Sequence, residues 1–126
     1  PDNAAEDSIN FAGAWTGSKG EPHRAGLVVQ SVNGSFAIRE GKWKLCLCPG
    51  SGGWSAPRPG SKDEVGLPPI QLYDLDADVG EKTNLHEKHP EIMERLTKLL
   101  DQWVADGRST PGKPQQNTTP VTLRKK

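Results

Sequence analysis

The chain has 126 residues, a mass of 13.7 kDa, and sixteen basic against sixteen acidic side chains. That length suits one small domain and excludes two of ordinary size. The zero formal charge excludes a general nucleic-acid or membrane-surface binder, which needs a basic excess.

An apolar fraction of 33% predicts a small core with long loops, with Leu, Ile, Val and Phe at roughly a fifth of the chain. No apolar run approaches the ~20 residues that span a bilayer, and no signal-peptide pattern opens the chain. Because the first residue is Pro1 and not Met, we expect the polypeptide to have been cut from something longer.

Residues 1–24 are polar apart from an apolar island over 11–15. Asp7 or Ser8 is placed to cap a short helix there, and Gly17 to end it. Residues 25–32 read as a strand that stops at Asn33-Gly34. Asn-Gly between two apolar runs signals a hairpin turning on that pair, because both residues tolerate positive φ. A second strand follows over 35–39, Glu40-Gly41 turns the chain again, and a third strand covers 42–48, alternating solvated Lys42 and Lys44 with buried Trp43 and Leu45. The economical reading is an antiparallel meander.

From 49 to 69 the pattern disappears into Gly, Pro and Ser. A loop of about twenty residues is uncommon in a compact domain unless it is functional or disordered. Residues 70–75 alternate apolar with polar and give a fourth strand, and 76–89 are polar and turn-rich. The spacing then predicts a helix over 90–106. Pro90 suits its first turn, and Glu91 and Glu94 suit the positive end of its dipole. Ile92, Leu96, Leu99, Leu100, Trp103 and Val104 form one apolar stripe, and Gly107 and Pro111 stop it. The remainder is rich in Pro, Gln, Thr and Lys, as a mobile tail would be.

Cys46 and Cys48 lie one residue apart, so on a strand their sulfurs face the same side. A disulfide across one residue would close a strained ring outside normal bridge geometry. His23, His86 and His89 stand at no zinc-finger spacing from them. We read the pair as small apolar strand side chains.

Other motifs fail on their spacing. Asp74, Asp76 and Asp78 suggest a calcium loop, but Val79 and Leu85 occupy the places that need Gly and Glu. The glycines over 50–53 are followed by Trp54-Ser55-Ala56-Pro57, not by the Lys and Ser/Thr of a phosphate loop. No nucleophile stands with a base and an orienting partner at recognisable spacing. Two Asn-x-Ser/Thr tripeptides begin at Asn33 and Asn117. Of the four tryptophans, Trp15, Trp43 and Trp103 fall within apolar segments and are assigned to packing. Trp54 sits in the Gly/Pro loop, where it either tucks back onto the core or forms a ligand platform.

Two segments carry a resemblance. Asn33-Gly34-Ser35-Phe36-Ala37-Ile38-Arg39-Glu40-Gly41-Lys42-Trp43-Lys44-Leu45 resembles the AIR-x-GKWKL hairpin in the C-terminal part of sulfatases of the arylsulfatase type. Gln71-Leu72-Tyr73-Asp74-Leu75-Asp76-Ala77-Asp78-Val79-Gly80-Glu81-Lys82-Thr83-Asn84-Leu85 is similar to that family's LYDL-x-x-D-x-x-E-x-x-N-L stretch. In those enzymes a Pro-started amphipathic helix follows, as it does here.

The resemblance implies an α+β fold, a small antiparallel sheet of about four strands packed on one long C-terminal helix. It divides the chain into the end of a catalytic-domain segment (1–24), a C-terminal sulfatase subdomain (25–112) and a flexible tail (113–126). It also implies a partner, the larger N-terminal catalytic domain, through which the chain would meet a sulfate-ester substrate, and a periplasmic or secreted location.

Sulfatases of this kind use a formylglycine made from Cys or Ser in a C/S-x-P-x-R motif, with calcium held by Asp and Asn. Cys46 has Cys48 where the proline belongs. Cys48 has Gly50 there, and Gly52 in place of the arginine. Formylglycine and calcium are therefore expected in the catalytic domain, and this chain is expected to contribute no catalytic or metal residue. The resemblance suggests a rim for the substrate cleft at the strand end 30–33 and the loop 49–55, with Gln30, Ser31, Asn33, Ser51 and Trp54 as candidates. Relatives often carry histidine near the Gln30 position. The rival reading is a small carbohydrate- or peptide-binding module using Trp54 and the Gly-rich loop.

Overall fold

The computed structural model describes residues 7–17 and 24–123. Strands β1 (Leu27–Gln30), β2 (Phe36–Glu40), β3 (Trp43–Cys46) and β4 (Gln71–Asp74) form one antiparallel sheet in that order. Helix α1 (Ala12–Trp15) precedes them, and α2 (Pro90–Asp106) packs across β2 and β3. The expected α+β architecture is the one observed. A single 3-10 turn, Lys62–Glu64, interrupts the long β3–β4 connection.

Register explains the core. Leu45 pairs directly with Ile38 on one side and with Leu72 on the other, so three branched side chains stand in one row under the helix. Leu47, Leu96 and Leu100 complete the buried cluster, with Ile92, Leu99 and Trp103 packed around it. Fully burying such a side chain contributes about 1.5–3 kcal/mol. Pro90 occupies the first turn of α2, and Gly107 ends it in the left-handed conformation at φ 61°. On the other face of the sheet, Ala37, Cys46 and Tyr73 form a second small cluster with Cys48 and Leu75.

The two family-like segments lock onto each other. Lys42 Nζ donates to Asp74 Oδ2 at 2.6 Å, and Lys44 Nζ donates to Glu81 Oε1 at 2.6 Å. The Lys42 hydrogen bond holds the Asp74 carboxyl below its ordinary range, and the same bond raises Lys42. Glu81 itself adopts φ 52°, the one described non-glycine residue with positive φ. Asn84 closes the outer edge of β4: its Oδ1 accepts from Leu72 N (2.9 Å) and His86 N (3.1 Å), and its Nδ2 donates to Ile70 O (3.1 Å). Asp78 Oδ2 accepts from Lys82 N and Thr83 N, each at 2.7 Å. Trp43 packs against His89 at the start of α2, ring centroids 5.0 Å apart.

Four local expectations are corrected. The first hairpin does not turn on Asn33-Gly34. Ser31 N donates to Ser35 O and Gly34 N to Ser31 O, so Val32 and Asn33 are the central pair and Gly34 follows at φ 80°. That is the three-residue loop with a glycine bulge. Lys44 is half-buried and paired, where strand alternation predicts a solvated side chain. Trp15 is 88% exposed, so among the described residues it has no packing role. Asn10, not Asp7 or Ser8, serves the start of α1, its Oδ1 accepting from Ala12 N at 2.9 Å. Beyond α2, Gln115 N donates to Asp106 O and Asn117 Nδ2 to Val104 O, and Leu123 packs against the core.

Candidate functional site

The hairpin over 31–35 and the glycine-rich loop meet at one corner of the sheet. Gly52 makes the contact: Asn33 N donates to Gly52 O at 3.4 Å, and a Cβ on Gly52 would lie 3.0 Å from Ser31 Oγ. Within the hairpin, Ser31 Oγ donates to Asn33 Oδ1 at 2.6 Å, and both oxygens accept from Ser35 N at 3.0 Å. Within the loop, Ser51 Oγ donates to Ser55 O at 2.7 Å and accepts from Gly53 N at 3.1 Å.

The structure therefore brings Ser31, Asn33 and Ser51 together. Gln30, exposed at the end of β1, joins Ser31 and Ser51 on a small open cavity of about 150 Å³ that also touches Lys44, Cys46 and Cys48. That is below the ~300–1,000 Å³ of a typical small-molecule pocket. Trp54 stands outside it and is 80% exposed, so it does not tuck back onto the core. A larger cavity of about 390 Å³ lies between β1 and the end of α2, lined by Val28, Phe36 and Trp103 among others. Gln30 is the only one of the five candidates that reaches it.

The loop is anchored from β4 by residues that motif reading did not single out for a site. Gln71 Nε2 donates to Cys48 O at 2.8 Å and Gly50 O at 2.9 Å. Tyr73 Oη donates to Gln71 Oε1 at 2.6 Å. Their spacing of two on one strand face was the available signal. Arg58 was also missed; its Nε donates to Trp54 O at 2.8 Å.

Burial pushes the Cys46 thiol up to about 11 and raises Cys48 as well, and burial pushes Tyr73 up to about 12. Both cysteines are free thiols. Neither supplies a thiolate near neutral pH. The formylglycine motif does not fit the residues here. Besides the two cysteines, Ser55 has Pro57 two places on, but Arg58 comes one place early and Pro59 fills the arginine position. Among the described residues no group of three His, Cys, Asp or Glu is placed to hold a metal ion. No described helix is long and apolar enough to cross a membrane.

A four-stranded meander backed by a Pro-started helix, its two motifs clasped together, is the module the sequence resemblance assigned to sulfatases. Comparison with known proteins agrees. Over 104 residues, 80% of its length, the chain is 34% identical to an N-acetylgalactosamine-6-O-sulfatase of Bacteroides thetaiotaomicron. A solved structure described under the metabolism of multiple glycosaminoglycans by Bacteroides thetaiotaomicron matches 81% of the chain at 36% identity, with a TM-score of 0.60. The chain is a homologue of part of a sulfatase. It spans about a fifth of those relatives, 19% of the first and 21% of the second. No family model matches it.

Proposed function

We propose that this chain is the C-terminal, non-catalytic part of a sulfatase, bracing an N-terminal catalytic domain that hydrolyses sulfate esters of a glycan. Formylglycine and calcium belong to that domain. Their chemistry is the attack on sulfur and the neutralisation of sulfate oxygens, and no step of it passes through the residues described here. The observation that carries the reading is the mutual closure of the two motifs, in which Lys42, Lys44, Asp74, Glu81 and Asn84 are all engaged in holding the sheet. The relatives' names support a sulfated glycan as the substrate class, and the family resemblance implies a periplasmic or secreted location. In this reading the corner built from Ser31, Asn33 and Ser51, with Gln30 and Trp54 beside it, borders the substrate entrance. Residues 1–24 lead in from the catalytic domain, 25–112 form the brace, and 113–126 are the tail.

The test compares this chain with the longer polypeptide that contains it. The longer polypeptide should release sulfate from 6-sulfated N-acetylgalactosamine glycans, and this chain alone should release none. Deleting 50–54 in the longer form should lower kcat/KM for glycan sulfates. Turnover by this chain alone, or a deletion without effect, rejects the corresponding half of the reading.

A further inference from the structure

Trp54 is 80% exposed and Val32 65% exposed, and it is Gly53, the residue before Trp54, that backs onto Val32: a Cβ there would lie 3.6 Å from Val32 Cγ1. The indole sits on an ordered loop. Ser51 N donates to Pro57 O at 2.9 Å, Ser51 Oγ to Ser55 O at 2.7 Å, and Arg58 Nε to Trp54 O at 2.8 Å. The backbone that presents the indole is thus fixed before any ligand arrives, which removes part of the ordering cost of binding.

Arg58 uses only Nε in this contact. Among the described residues no group pairs with its two terminal nitrogens, and the side chain is exposed. The corner therefore offers a flat apolar face and, tied to that residue's own carbonyl, a guanidinium free to take an anion. A pyranose ring presents a C–H face that suits an aromatic plane, and a sulfate or carboxylate on the ring suits the planar fork of arginine.

We propose that Trp54 and Arg58 form a subsite for an acidic sugar of a glycan chain, the indole against the ring and the guanidinium on its sulfate or carboxylate. The kind of glycan rests on the sulfatase reading; the geometry does not.

The experiment uses the 126-residue chain labelled with nitrogen-15, in which each of the four tryptophans gives one indole N–H signal. The probe is an oligosaccharide of hexuronic acid and 6-sulfated N-acetylgalactosamine, against a neutral N-acetylhexosamine oligosaccharide of equal length. The Trp54 signal, assigned by its loss in Trp54→Ala, should shift saturably with the acidic probe and weakly with the neutral one. Trp54→Ala should weaken binding about fivefold to tenfold. Arg58→Gln should abolish the preference for the acidic probe while leaving the Trp103 signal in place as proof of folding. No shift at millimolar probe, a shift confined to other tryptophans, or equal response to both probes would overturn the proposal. Binding is read without hydrolysis, so an inactive longer polypeptide would count against the sulfatase reading alone. An unresponsive Trp54 beside an active longer polypeptide would count against this subsite alone.

Discussion

The two ends of the sheet are held by different kinds of contact. Around β3 and β4, charges and amides of one motif close on the other over long sequence separations, as Lys44 does on Glu81. At the hairpin corner, the side chains of Ser31, Asn33, Ser51 and Arg58 bond mainly to nearby residues and loop backbone, and apolar Val32 and Trp54 face outward. A region whose polar groups pair with one another across the sheet builds a fold. A region that fixes its backbone with short-range bonds and leaves an indole uncovered presents a surface.

The sharpest way to break this contrast is Asn84→Ala. It removes three hydrogen bonds that seal β4, to Leu72 N, His86 N and Ile70 O. Stranding those backbone groups should cost about 2–3 kcal/mol in denaturant unfolding. A cost below about 1 kcal/mol would mean the motif does not carry the fold.

Next comes alkaline stability. Burial raises the Cys46 thiol in the folded state to about 11, from its ordinary value of 9.0. For an acid raised on folding, the stabilisation is complete below the unfolded pKa and is lost as pH rises through the folded one. Between about pH 9 and 11 the protein should lose about 2 kcal/mol that Cys46→Ala retains, read by melting across that range. Parallel curves for the two proteins would show Cys46 to be less enclosed by the second cluster than the packing of Ala37 and Tyr73 indicates.

Strand alternation and the Pro90/Gly107 punctuation made β2, β3, β4 and α2 legible in the sequence, because each obeys a local period. The first turn was not. Its type depends on which residues close the ladder, and Ser31 pairing with Ser35 moves the central pair back to Val32-Asn33. Lys44 was misjudged because its partner lies 37 residues away. Trp15 was misjudged because a four-residue helix has no stripe from which to read a buried face. Of the candidate site, the sequence named two separate segments. That they meet is decided by Gly52 backing onto Ser31, a tertiary contact no local pattern encodes. Arg58 escaped notice because a lone arginine among prolines carries no spacing signal.

Two substitutions at the corner separate its scaffold from its surface. Gly52 adopts φ 65°, and a Cβ there would meet Ser31 Oγ at 3.0 Å and Ser31 Cβ at 3.2 Å. Gly52→Ala should therefore destabilise by about 1–2 kcal/mol through left-handed strain and crowding. Ser31→Gly in the same molecule should relieve the crowding, read as the coupling in a double-mutant cycle because Ser31→Gly alone also removes the Ser31 Oγ bonds to Asn33 and Ser35. Trp54→Ala should change stability by no more than about 0.5 kcal/mol, since the indole is 80% exposed. A larger loss would mean that the indole packs on the fold, and the corner would then be scaffold throughout. If Gly52→Ala is costly and Trp54→Ala is not, the loop's conformation belongs to the fold and its indole is left for a ligand or another surface.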